Sequence, residues 1–205
     1  MIIEQPSAEL LWITPNALEV IEAAGRTCYR SESLIHDGSA TKFVSKIIKS
    51  GHLSVIEHAS ASFRFICDRG VTHELVRHRL ASYSQSSTRY CNFSKSKFSG
   101  EIRVIKPPFL NPDKSEAVWS NAITQAETMY LLLLELGEKP EIARSILPNC
   151  LKAEIVMTCN FREWLHVIAL RSSSNKRAHP QIRQIIDMAR DILAKKCPII
   201  FNELE

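Results

Sequence analysis

Arg77-His78-Arg79-Leu80-Ala81-Ser82-Tyr83-Ser84-Gln85-Ser86-Ser87-Thr88-Arg89-Tyr90 places three arginines, a histidine and a run of hydroxyls within fourteen residues. No apolar run follows that would bury these charges. Cations gathered in this way need counter-ions or open water. The planar guanidinium fork is the side chain best shaped to hold a phosphate or carboxylate. A solvated basic helix end is the plain reading of Arg-His-Arg alone. The ordered tail, with Gln85, Ser87 and Arg89 at fixed distances behind it, favours an anion-binding site.

The rest of the chain sets the frame for that stretch. A length of 205 residues suits one well-cored domain, residues 1–205. Apolar content of 45% and charged content of 23% are those of a globular protein. The net charge of +4 fits a small anionic substrate as well as a nucleic acid. Met1-Ile-Ile-Glu-Gln-Pro6 has no basic segment followed by an apolar core, and no apolar run approaches the roughly 20 residues of a membrane span. Cys28, Cys67, Cys91, Cys150, Cys159 and Cys197 are scattered without CxxC pairs, as expected for reduced thiols in a cytoplasm.

Several elements are expected from local signals. Thr14-Pro15 reads as the start of a helix ending near Gly25, and Thr41 as the cap of a second, stopped by Gly51. Residues 59–67 alternate as a strand. Thr72 opens a helix that closes on Arg77-His78-Arg79, and 80–98 reads as an ordered loop. Ile102–Ile105 is a short strand stopped by Pro107-Pro108. Asp113 caps a helix over about 114–136 whose apolar positions, among them Val118, Ile123, Met129 and Tyr130, suit a core or subunit interface. Pro140 opens a short helix ended by Pro148, and 152–159 is a strand. Asn160-Phe-Arg-Glu163 has the form of a helix cap with a reciprocal Glu, and His179-Pro180 opens the last helix. In Gly51-His52-Leu-Ser54-Val-Ile-Glu57-His58 the spacing is not HExxH, so a polar network is expected there and no metal.

Arg-His-Arg, seven residues, Ser87 and then Arg89-Tyr90 resembles the signature of the flavin-dependent thymidylate synthases, and Thr72-His73-Glu74-Leu75-Val76 leads into it as in that family. Three further segments are similar to the family in the same order. They are Gly51 to His58, Ala143-Arg144 through Leu147-Pro148, and Asn160-Phe-Arg162 through His166 to Arg171. The resemblance covers residues from about 25 to 200. It implies an α+β fold, a mixed or antiparallel sheet packed by helices, and a homotetramer with inter-subunit active sites. It implies reductive methylation of dUMP to dTMP, with FAD as cofactor, methylenetetrahydrofolate as carbon donor and NADPH as reductant.

Residue by residue, the resemblance assigns flavin contacts to Ser54, Arg77, His78, Arg79, Gln85, Asn160, Arg162 and His166. It assigns dUMP contacts to Glu74, Arg77, Gln85, Ser87, Arg89, Arg144 and Arg171, with Arg171 the catalytic group at the uracil ring. Taken without it, His166 reads as a structural histidine and Arg171 as a cation on a helix C-terminus. Two departures stand out: Ser172–Ala178 is longer than the family spacing, and Cys28 sits where a serine is usual. An alternative of another class is a nucleic-acid-binding protein, with Lys95 and Lys97 on phosphates and Tyr83, Tyr90, Phe93 and Phe98 stacking on bases. A third reading is a flavin reductase without methylation.

Overall fold

A computed structural model describes residues 1–95 and 100–202. Strands β1 (Ile2–Glu4) and β2 (Ser7–Ile13) precede helices α1 (Ala17–Thr27) and α2 (Ser39–Lys49). Then come β3 (Ser60–Asp68), α3 (Arg69–Leu75), β4 (Ala81–Gln85), β5 (Arg103–Ile105), α4 (Glu116–Glu135) and α5 (Pro140–Ala143). Strand β6 (Lys152–Asn160) leads into α6 (Phe161–Arg171), α7 (Pro180–Lys196) and the short α8 (Pro198–Phe201). One sheet has the order β2-β3-β6-β4. A second pairs β1 with β5 in parallel, Ile3 facing Val104. Helices and sheets together make the fold α+β. Among the described residues no helix is long and apolar enough to cross a membrane.

Internal contacts divide the chain into two compact units. The first holds residues 1–7, 66–77 and 84–155. Its core gathers Phe93, Ile102, Val104, Ile123, Tyr130 and Leu151, with the Phe93 and Tyr130 rings 5.8 Å apart. The second holds residues 8–65, 78–83 and 156–205. There Trp164 is fully buried, its indole N–H donating to the Ala61 carbonyl at 3.1 Å and its ring edge-on to Phe63 at 5.0 Å. Phe161 meets Phe201 edge-on at 5.2 Å. Aromatic burial of this kind supplies much of the hydrophobic stabilisation of so small a unit.

Most expected elements are present, but several boundaries differ for local reasons. Helix α1 begins after Asn16, which adopts a left-handed φ of 49° and gives no side-chain cap. Thr14 is spent elsewhere: its hydroxyl accepts the Ser60 N–H at 2.9 Å and donates to the Ser60 carbonyl. Gly25 does not end α1. A Cβ there would come within 2.6 Å of Phe43 Cζ, so the glycine is needed for close packing on α2. Gly38, at φ 76°, is the N-cap of α2, three residues before Thr41, and Gly51, at φ 71°, stops it as expected. Helix α4 begins after Ser115, which gives no side-chain cap, so Asp113 is not the cap; the turn before it is closed by Asn111, whose side-chain oxygen accepts the N–H groups of Asp113 and Lys114. Along α4, Ile123 and Tyr130 are buried, whereas Val118 and Met129 are 69% and 49% exposed.

The largest difference lies around the decisive stretch. Asp68, not Thr72, caps α3, accepting the Val71 N–H at 2.7 Å; the Thr72 hydroxyl donates to the Arg69 carbonyl. Helix α3 ends at Leu75 with Val76 as its C-cap, and Arg77-His78-Arg79 follows it in non-helical backbone. Residues 81–85 are not loop but β4. The strand is polar and half-buried, so its partner in the sheet, not its own composition, makes it a strand. Lys97 and Phe98 lie outside the described residues.

Candidate functional site

The polar residues of interest form one set in each unit. In the second unit the set is built on α6. Asn160 caps the helix, its side-chain oxygen accepting the Glu163 N–H at 2.9 Å. Arg171 closes the last turn. His78, 5% exposed, lies between groups of this helix. Its Nε2 accepts the Arg171 Nε–H at 3.2 Å, and its Nδ1 is 3.4 Å from Glu163 Oε1. The rings of His78 and His166 meet edge to face at 5.7 Å. The Tyr83 hydroxyl donates to the His78 carbonyl at 2.9 Å, fixing the backbone at the same residue.

This enclosure decides protonation. Burial pushes the His78 imidazolium down to about 4, with the charges of Arg171 and His166 acting in the same direction. His78 is thus neutral at pH 7. Burial raises the Glu163 carboxyl, opposed by His166, and raises the Tyr83 phenol, with Cys159 and Glu163 adding to the effect. Ligand atoms of His78, Glu163 and His166 lie within 4.8 Å of one another, a spacing that a metal ion can use. Both ring nitrogens of His78 already face protein groups, and one of them is a guanidinium.

The other flavin candidates of this unit are more open. Ser54 is exposed on a 3₁₀ turn over Leu53–His58, and Arg79 and His166 are exposed. Arg162 reaches back to that turn, donating to Glu57 at 2.6 Å. One contact of the polar network expected at 51–58 is thus supplied from α6. The Ser172–Ala178 segment is an ordered turn: the Ser173 N–H donates to Asp187 at 3.0 Å and the Asn175 side chain to the Leu170 carbonyl at 2.8 Å.

The first unit carries the remaining candidates. Ser86 pins the chain to Glu154 through its N–H and hydroxyl, at 2.9 and 3.1 Å. The Ser87–Arg89 turn starts from that point, with the Ser87 hydroxyl accepting the Arg89 N–H at 3.2 Å. Arg89 donates to Glu141 at 2.8 Å and lies over the Tyr90 ring. Arg144 donates to the Thr88 hydroxyl at 3.4 Å. The Gln85 amide donates to the Thr72 hydroxyl at 3.1 Å, Glu74 is half-buried and Arg77 is exposed. Burial, then the like charge of Arg144, lowers the pKa of half-buried Arg69. Two guanidiniums that repel each other, with no carboxylate paired to either among the described residues, form a cradle for an anion. Of the stacking residues required by the nucleic-acid alternative, Phe93 is buried and the Tyr83 hydroxyl is engaged. A shallow cleft of about 530 Å³ along α2, lined by Lys42, Lys46 and Lys49, contains none of these groups.

The sequence did not single out Glu163 beyond its capping position, nor Arg69 or Thr88. The capping template explained Glu163 away. Arg69 precedes the signature, and only the fold brings it near enough to feel the charge of Arg144.

The fold is that of an α+β protein, with a guanidinium held at a buried imidazole in the second unit and guanidiniums close enough to repel each other in the first. The model of the family described as "Thymidylate synthase complementing protein" matches residues 9–199, and the chain belongs to that family. Among its curated relatives is the flavin-dependent thymidylate synthase of Mycobacterium avium, 36% identical over 205 residues, which cover 91% of this chain and 79% of the relative. That of Mycobacterium marinum is 35% identical over 206 residues, with the same coverage. A solved structure of a UMP/dUMP methylase, PolB from Streptomyces cacaoi, bound with 5-Br dUMP, superposes with a TM-score of 0.81 over 98% of this chain and 96% of its own. At 21% identity, that likeness concerns the fold.

Proposed function

We propose that this chain is an FAD-dependent thymidylate synthase that methylates dUMP to dTMP, taking the one-carbon unit from methylenetetrahydrofolate and reducing equivalents from NADPH. The observation that carries the reading is Arg171 held at Nε by neutral His78, in a chain of this family. A guanidinium fixed in this way is a cation that needs no reorganisation when charge develops. At the uracil ring it favours the N3-ionised form of the nucleotide and so raises electron density at C5, where the new carbon bond forms. Arg69, Arg144, Ser87 and Arg89 are the groups suited to the nucleotide phosphate, through charge-assisted hydrogen bonds.

The donor set of the second unit fits FAD. Arg79 and Arg162 are exposed cations suited to a pyrophosphate, and Ser54 and His166 are exposed polar groups for the rest of the cofactor. Bound flavin, reduced by NADPH, supplies the hydride that completes the methyl group. The chain's residues bind it and keep Arg171 aligned. Val118, Met129, Leu132 and Leu136, between 42% and 73% exposed along α4 and its end, support burial against further copies and a homotetrameric enzyme. Six cysteines without a disulfide support a cytoplasmic protein.

The test is an absorption titration with FAD and then dUMP, followed by a dTMP assay with both co-substrates. A flavin band perturbed by protein and again by dUMP, with dTMP formed, is expected. Folded, assembled protein that leaves the FAD spectrum unchanged and makes no dTMP overturns the reading. NADPH oxidation indifferent to dUMP, without dTMP, leaves the reductase.

A further inference from the structure

Glu163 occupies the third position of α6, where a capping box would turn its carboxylate back to the Asn160 N–H. It does not do so. The Asn160 side chain caps the Glu163 N–H, while the Glu163 carboxylate is buried, 6% exposed, against His78 Nδ1. A buried carboxylate carries a desolvation cost that a helix cap alone does not repay.

The hydrogen-bond pattern gives that carboxylate a task. A neutral imidazole has one N–H and one lone pair. Arg171 Nε–H can only donate, so His78 Nε2 must carry the lone pair and Nδ1 the proton. The group facing Nδ1 is an acceptor, Glu163 Oε1. We propose that Glu163 is a positioning residue: it selects the Nδ1–H tautomer of His78 and thereby fixes the Arg171 guanidinium for the nucleotide. The other titratable groups shown against His78 are Arg171 and His166 on α6 and Tyr83 on β4; His166 meets it edge to face, and Tyr83 donates its hydroxyl to the His78 carbonyl. The inference rests on the proposed role of Arg171 at dUMP.

The test uses the whole flavin-loaded enzyme with Glu163→Ala, the near-isosteric Glu163→Gln, Arg171→Ala and the double variant Glu163→Ala/Arg171→Ala. Nitrogen-15 spectra of the histidine rings are expected to show the Nδ1–H form of His78 in the parent, and a mixture or the Nε2–H form in Glu163→Gln. Glu163→Ala is expected to lower kcat for dTMP formation about 10-fold in the parent and to add nothing in the Arg171→Ala background, because directly coupled groups are non-additive. An unchanged tautomer in Glu163→Gln, or an equal loss in both backgrounds, overturns the positioning role. Arg171→Ala that binds dUMP and turns over like the parent instead removes the role of Arg171 on which the inference stands. Glu163→Gln keeps the question open to measurement if Glu163→Ala does not fold.

Discussion

The two polar sets differ in how far the protein satisfies them. In the second unit both ring nitrogens of His78 face a protein group, and the carboxylate on one side is buried. In the first unit, burial and then the charge of Arg144 lower the pKa of Arg69, and Arg89 keeps a carboxylate partner while 56% exposed. Buried, mutually satisfied polar groups cost folding free energy and return it as a single fixed geometry. Clustered guanidiniums at a partly wet surface cost less and are completed by an arriving anion. Under the proposed function the contrast separates residues that align from residues that capture, although Arg-His-Arg and Ser87–Arg89 belong to one continuous stretch of sequence.

The sharpest way to break the contrast is Arg171→Ala. Losing a fixed charge at the reacting ring is expected to cut kcat by about 10²–10³, with the flavin spectrum retained. A rise in KM for dUMP at unchanged kcat would instead make Arg171 another capturing residue. Next comes acid stability. A histidine at 6.5 in the unfolded chain and about 4 in the fold stabilises the native state fully above pH 6.5. That contribution, about 3 kcal/mol, is lost as pH falls from 6.5 toward 4. His78→Gln is expected to flatten this limb in chemical denaturation across pH. Glu163, raised by burial, acts in the opposite sense as pH rises past its unfolded value, so the parent's loss is blunted at the acid end.

Smaller effects sharpen the capturing side. Arg69→Ala removes one charge-assisted contact and is expected to raise KM for dUMP by about 10-fold, more steeply at high salt, with kcat retained. A fall in kcat alone would move Arg69 into the aligning set. Smallest is Asn160→Ala, where loss of the cap is expected to cost about 1 kcal/mol in thermal melts. Turnover should fall further than that loss of folded protein explains if the start of α6 also sets Glu163.

The sequence made the chemistry legible earlier than the geometry. Arg77, Arg89, Arg144 and Arg171 stood out because charge type and spacing are local properties. The strands β3 and β6 and the Asn160 cap were readable for the same reason. The start of α3 was not: Asp68 and Thr72 are both acceptable caps, and only the fold shows Thr72 bonded to Arg69 and Gln85. Strands β1 and β4 escaped because each exists through a distant partner; Ile3 meets Val104, a pairing no local window contains. Glu163 and Arg69 are the instructive omissions. Their roles lie in what they face, and His78 and Arg144 are far from them in sequence.

The burial of Trp164 has an optical consequence. An indole with no water access, bonded to the Ala61 carbonyl and lodged against Phe63, emits at the blue end of tryptophan fluorescence, while Trp12, 47% exposed, emits farther to the red. With half-buried Trp119 replaced by Phe, these two dyes are built in. In a rapid-mixing experiment the blue component times the moment α6 leaves β3, next to the residue on which the tautomer of His78 depends, and it does so without any label.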